Sequence, residues 1–315
     1  MWTADNSTSL LKFHQHAAPI RPHFPNCVGA PIVADATQLS LAAWNVILLK
    51  QLLLRRRMSQ RERQSVRSAL GDRWFAKARN YMTLKHTLHH AIHGRSPEFV
   101  RLATEKKGLF LEFGVLTGLS ANLTSLYINS IPGIPAGTRL EGFDTFTGLP
   151  EAWPNGKGGF YYKKGTFSWA ARNKGPTPPV KPRVRLHTGL FNNTLPPFLR
   201  DPSLGLNKPL AYTNIDCDLY GGTVDALQNL GPRMCIGTII HFHELLKDRF
   251  WKAKHLEKGN YDAVVASEEA RALYEWLRAR PTTVLELSDV QSSSNSDAAV
   301  LVVRTPPDDY TRALC

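Results

Sequence analysis

Residues 109–120, Leu-Phe-Leu-Glu-Phe-Gly-Val-Leu-Thr-Gly-Leu-Ser, constrain this chain more than any other segment. An apolar run closes on an acid, and two glycines and a small hydroxyl residue follow. That order reads as a buried strand, a tight turn and the start of a helix, which is how an open α/β sheet receives a nucleotide-like ligand. A second apolar run, residues 211–220 (Ala-Tyr-Thr-Asn-Ile-Asp-Cys-Asp-Leu-Tyr), carries Asp216 and Asp218 where a buried strand would end. Ligands of such sheets sit beyond the carboxyl ends of the strands, so both segments should face one crevice.

Strands are expected at residues 109–115, 139–146, 184–188, 210–215, 237–243, 283–287 and 298–304. Helical patterns fall between several of them, notably at 120–131, 222–230 and 267–280. This alternation specifies a doubly wound, mostly parallel, Rossmann-like α/β sheet of seven strands with right-handed crossovers. Upstream, residues 1–36 read as an irregular arm and 37–107 as a basic helical extension, so the main domain should run from 108 to 315. Residues 151–182 break the alternation with Gly, Pro, Lys and the aromatics Trp153, Phe160, Tyr161, Tyr162, Phe167 and Trp169. A loop of that length inside a domain is most often a lid or a binding loop. Its basic residues Lys157, Lys163, Lys164, Arg172 and Lys174 either clamp an anionic or aromatic acceptor or simply keep the loop soluble.

Charge is placed unevenly. Residues 1–108 hold 17 Lys and Arg against 6 Asp and Glu, and so carry +11 of the chain's +13. A basic third of this kind suits a solvated helical face, or contact with an anionic membrane surface. No nucleic-acid-binding motif accompanies it, and self-association into a homo-oligomer stays open. The apolar stretch 39–54 is too short and too polar to span a membrane, and the start of the chain lacks the pattern of a signal peptide, so a cytoplasmic protein is expected. Cys27, Cys217, Cys235 and Cys315 show no paired spacing and read as reduced thiols. Most of His86, His89, His90 and His93 fall on one helical face, a spacing compatible with a transition-metal site. No flanking carboxylate or Cys completes the set, and they read as surface residues.

Five blocks, LEFGVxxGxS, GFDTFxGLPExW, GxFxxTLPxFL, IDCDLY and GTIIxFxE, follow one another between about residues 109 and 280. In this order they resemble the macrocin O-methyltransferase family, class I enzymes that use S-adenosylmethionine and often Mg²⁺. The resemblance implies that Glu112, Gly114, Ser120 and Asp144 cradle the cofactor, and Gly118 of the glycine turn and Asp216 are counted with them. It also implies that Asp218 lies beside the acceptor hydroxyl as general base or metal ligand. Read on its own, Asp144 is placed either to accept ribose hydroxyls or to cap a turn.

One position departs from the family. Where two acids usually follow the fifth strand, this chain has His243 and Glu244. The metal set expected is therefore Asp218, His243 and Glu244, and an imidazole in it favours a transition ion over Mg²⁺. The identity of the divalent metal, Mg²⁺ or Mn²⁺, stays open, as does a metal-free site in which His243 is a base. His241 is expected to point away from His243 as a packing residue. The activity implied is methyl transfer from S-adenosylmethionine to a hydroxyl of a sugar or other polyol-like small molecule. Two other readings compete. Asp216-Cys-Asp218 is also the DxD pattern of a metal-dependent glycosyltransferase, and a catalytically silent cofactor-binding scaffold is the third reading.

Overall fold

All five residues of Leu109–Phe113 are buried, as expected of a strand covered by helices on both faces. The computed structural model describes residues 31–33, 96–155, 158–173, 175–245, 268–280, 282–290, 298–305 and 313–315. Except for 31–33, the expected arm and the extension up to residue 95, including the histidines at 86–93, lie outside the described residues. The elements in chain order are β1 (Pro31–Val33), α1 (Pro97–Thr104), β2 (Leu109–Phe113), α2 (Leu119–Ser130), β3 (Leu140–Asp144), β4 (Trp153–Pro154), β5 (Phe160–Tyr162) and α3 (Trp169–Arg172). They continue with β6 (Val184–Thr188), α4 (Phe191–Arg200), β7 (Leu210–Ile215), α5 (Tyr220–Leu230), β8 (Met234–Phe242), α6 (Glu268–Arg278), β9 (Val284–Val290) and β10 (Ala298–Arg304).

The main sheet has the order β1-β9-β10-β8-β7-β2-β3-β6. Strands β6, β3, β2, β7 and β8 run parallel to their neighbours, whereas β10 is antiparallel to both β8 and β9. All seven expected strands are present. Pro31–Val33 adds an eighth, antiparallel to β9 at the edge. From β2 the chain winds outward through β3 to β6, then returns to β7 on the other side of β2 and continues to β8. The winding direction therefore reverses between β2 and β7, the place where a crevice opens in sheets of this kind.

Strand periodicity sorts the core into two layers. Leu109, Leu111 and Phe113 point toward α4, α5 and α6, packing with Leu195, Phe198, Leu227, Leu273 and Trp276. Phe110 points the other way, into a layer with Phe99 and Leu102 of α1 and Leu123 and Tyr127 of α2. Helix α4 was not legible in the sequence because it contains Pro196 and Pro197, which normally interrupt a helix. Burial of Leu195, Phe198 and Leu199 on one face outweighs that penalty. Strand β8 bulges near its start: Gly237 has φ +99°, and a side chain there would collide with the backbone of Glu98 on α1.

The reduced-thiol expectation is corrected in part. Cys235 and Cys315 form a disulfide across a sequence separation of 80 residues, Cys217 is free, and Cys27 lies outside the described residues. Spacing could not reveal the pair, since the fold alone brings Cys315 to the start of β8. Arg101 of α1 adds a hydrogen bond to the Cys315 carbonyl at 2.9 Å. Disulfides persist in oxidising compartments, so cysteine usage no longer supports the cytoplasmic expectation. Among the described residues, no helix is long and apolar enough to cross a membrane. Reducing this bond should lower stability by about 2–4 kcal/mol, because it closes a long loop. Denaturant unfolding with and without dithiothreitol checks this, and coincident curves would show that the bond contributes nothing.

Candidate active site

Backbone geometry at the β2–β7 junction organises the site. Gly114 follows β2 with φ +83°, and a Cβ at this position would lie 1.8 Å from the Asp216 carbonyl oxygen. Only glycine permits that approach, and no L side chain adopts the φ comfortably. The junction is held by hydrogen bonds from Gly114 N to Phe143 O (3.0 Å) and from Asp216 N to Phe113 O (2.8 Å). Leu116 and Asp218 beside it, and Phe167 in the long segment, also have positive φ values of 48°, 65° and 66°. Strained non-glycine backbone costs stability and gathers at functional sites.

A cleft of about 530 Å³ opens here. Its walls include Gly114 and Leu116 after β2, Asp144 and Thr145 at the end of β3, Asp216–Leu219 after β7, and Glu244 after β8. One ligand oxygen each from Asp216, Asp218 and Glu244 lies within 4.8 Å of the others. These three carboxylates could hold a divalent cation, and an all-oxygen set suits a hard ion such as Mg²⁺ or Mn²⁺. The first turn of α6 helps to position them. Glu269 accepts a hydrogen bond from Glu244 N (2.9 Å), and Glu268 accepts one from Tyr220 N (2.6 Å).

Behind the cleft a buried polar row crosses three strands, with Glu112, Asn214 and His241 as register partners on β2, β7 and β8. The Ser120 hydroxyl donates to Glu112 at 2.6 Å, and His241 Nδ1 lies 2.6 Å from Asn214 Oδ1. Burial pushes the Glu112 carboxyl up to about 8, reinforced by the charges of Asp216 and Asp144 and opposed by Ser120 and Asn214. Burial likewise holds His241 well below the usual imidazole range. His241 and His243 contact each other with ring centroids 4.7 Å apart, which corrects the expectation that they face opposite ways. Residues two apart on a strand share a face. His243 Nδ1 in turn lies 3.5 Å from Asp216 Oδ2, linking the row to the acid cluster.

All of the expected residues except Gly118 divide into three groups. Gly114, Asp144, Asp216, Asp218 and Glu244 line the cleft. Glu112 and Ser120 form the buried pair behind it, and His243 stands beside Asp216. The metal set expected from the sequence was Asp218, His243 and Glu244; the one gathered in the fold has Asp216 in place of the histidine. Gly118 packs closely against Val180, which a Cβ on it would approach to 2.9 Å, and is not among the residues that line the cleft. Asp144 uses its carboxylate to accept three backbone N–H groups, from Val115 and Leu116 at 2.8 Å and Phe146 at 2.7 Å. It therefore caps the turns after β2 and β3 while lining the cleft.

Residues 151–182 are a built wall rather than a featureless loop. They hold the β4–β5 hairpin, α3 and a small cluster in which Trp153 and Phe167 pack with Leu149 and Leu219. The segment is anchored to α2 by a hydrogen bond from Lys181 N to Asn122 Oδ1 at 2.7 Å. Glu151, Trp153, Tyr162 and Phe167 line the cleft, whereas Lys163, Lys164 and Arg172 do not. Sequence reasoning missed Asp225, one turn along α5, and the Leu190–Asn192 wall at the start of α4. Neither carries a local motif that marks it as facing a ligand.

No family model and no curated protein matches the chain. Among solved structures, a calicheamicin methyltransferase has 18% sequence identity and a TM-score of 0.45, over 78% of this chain and 94% of that one. An O-methyltransferase from Bacillus cereus in complex with SAH has 15% identity and a TM-score of 0.39, over 84% and 99%. The O-methyltransferase NovP has 20% identity and a TM-score of 0.36, over 66% and 79%. Similarity at this level carries no argument about activity, which has to come from the site itself.

Glu112 yields a test with a defined sign. The folded protein keeps its proton up to about pH 8, whereas the unfolded chain releases it near 4.5. The folded state thus binds more protons across that interval, so this group makes stability fall as pH rises through it and level off above. Glu112→Gln cannot ionise and should lose this slope, matching wild type at acid pH and exceeding it above pH 8. Urea unfolding of both proteins across the pH range measures the difference, and parallel profiles would show that Glu112 ionises normally.

Proposed function

We propose that this chain is an S-adenosylmethionine-dependent O-methyltransferase acting on a hydroxyl of a sugar or other polyol-like small molecule. The observation that carries the reading is the cleft at the β2–β7 reversal, where Gly114 exposes backbone beside the oxygen cluster of Asp216, Asp218 and Glu244. A ligand gripped along backbone and a reacting hydroxyl near carboxylates need both features in one crevice. The catalytic unit proposed is residues 108–315 together with α1, whose Phe99 and Leu102 belong to the same core.

S-adenosylmethionine supplies a methyl group activated by a positive sulfonium. In transfer, the bond from methyl carbon to sulfur breaks as the bond to the acceptor oxygen forms, the hydroxyl proton departs, and a neutral thioether leaves. Positioning two reactants in line is the larger part of such catalysis. Asp218, on the strained turn after β7, is assigned to accept the hydroxyl proton. A divalent cation held by Asp216, Asp218 and Glu244 would make the hydroxyl more acidic. His243 then orients Asp216 instead of ligating, so the departure from the family's usual acid does not require a transition ion.

The glycosyltransferase reading is not favoured. A nucleotide sugar brings a diphosphate, and no lysine, arginine or histidine lines the cleft among the described residues. The strained turn at Asp218 counts against a silent scaffold, since strain without chemistry is only a cost. Calorimetry should show binding of S-adenosylhomocysteine, and no binding would sink the proposal. Asp218→Asn should leave that affinity within a few-fold of wild type while lowering turnover by roughly 10²–10⁴-fold, the range for lost proton transfer. Full turnover in EDTA, with no ion in the purified protein, would remove the cation and leave Asp218 as an unaided base.

A further inference from the structure

The cleft is negative in a positive protein. Six carboxylates line it, from Asp144, Glu151, Asp216, Asp218, Asp225 and Glu244, and no cationic side chain does so among the described residues. The chain as a whole carries +13. Another part of the wall is aromatic. The ring centroids of Trp153 and Tyr162 are 5.7 Å apart, and those of Tyr162 and Phe167 are 4.7 Å apart. Trp153 is buried against Leu149 and Leu219, while Tyr162 is 42% exposed and lines the cleft. Aromatic faces attract cations, most strongly where water is excluded. Rings and carboxylates therefore select the same ligand charge.

Most of the carboxylates have other work. Asp144 accepts hydrogen bonds from three backbone N–H groups, and Asp216, Asp218 and Glu244 make up the proposed cation site. Glu151 and Asp225 remain. Asp225 stands on α5 beyond Gly221 and Gly222, which line the cleft and place no side chain in it. A Cβ on Gly221 would meet nothing within 4 Å. Partial burial raises the Asp225 carboxyl above its ordinary range.

We infer that the acceptor carries a protonated amine in addition to the hydroxyl that is methylated. Trp153, Tyr162 and Phe167 hold the ammonium group and Asp225 is its counter-ion. The inference rests on the methyltransferase reading and narrows its acceptor to amine-bearing polyols such as amino sugars. Held as an ammonium, the nitrogen has no lone pair, so methylation stays on oxygen.

The test uses the full-length protein saturated with S-adenosylhomocysteine, titrated with glucosamine, glucose and glucuronate at slightly acidic pH and followed by ligand-observed NMR. Glucosamine should bind about tenfold more tightly than glucose, the scale of one favourable charge contact, and glucuronate should bind most weakly. Asp225→Asn should abolish the advantage of glucosamine over glucose while affinity for S-adenosylhomocysteine stays within about twofold. Tyr162→Leu should reduce the advantage in part. No binding of glucosamine, equal binding of all three sugars, or a preference that survives in Asp225→Asn overturns the proposal. Failure of S-adenosylhomocysteine to bind at all would instead remove the methyltransferase reading beneath it.

Discussion

The close approach of Gly114 to the Asp216 carbonyl is the constraint on which the site depends. It joins the carboxyl ends of β2 and β7 where the winding of the sheet reverses, and any side chain at Gly114 would force them apart. Asp216 and Asp218 reach the crevice through this contact. Asp144 reinforces the arrangement from β3 by binding the backbone just past the glycine. Glu269 holds the Glu244 backbone from the other side. Three strands and a helix terminus thus fix carboxylates that repel one another, and a bound cation would offset that repulsion.

The buried row from Ser120 through Glu112, Asn214 and His241 is the second organising element. It lies between the sheet and the α1–α2 layer, where desolvation penalises charge. Glu112 keeps its proton and His241 remains neutral, so the row supplies hydrogen bonds without adding net charge beneath the acid cluster. His243 joins this neutral row to Asp216. An acid at residue 243 would have placed another negative charge next to Asp216, whereas the imidazole relieves part of that crowding. His243 thus supports Asp216 rather than joining the three carboxylates that share a cation-sized space.

Much of the fold was legible because burial leaves a periodic trace in sequence. Runs such as residues 109–113 and 210–215 are buried throughout because helices cover both faces, and their mostly apolar character marks them as parallel strands. Asp216, Asp218 and Glu244 were legible as strand-end acids. Helix α4 was hidden by its two prolines, and the β4–β5 hairpin by its very short strands. His241 shares a face with His243 because residues two apart on a strand point the same way. The Cys235–Cys315 bond and the cleft-facing position of Asp225 left no local trace, since each depends on residues far apart in sequence or on which face of a helix meets a cavity.

By itself the sequence determined the alternation of strands and helices, the turn at Gly114, and the acids at the strand ends, because each follows from local periodicity and backbone sterics. Tertiary structure alone decided which acids share a cation-sized space and that Asp144 is engaged by three backbone amides. It also decided that the long segment after residue 150 presents rings to the cleft and, among the described residues, no lysine. Those outcomes depend on register between strands and on packing between layers, where displacement of a single residue exchanges one face for the other. The charge of the whole chain is positive and that of its cleft is negative, and only the fold could separate the two.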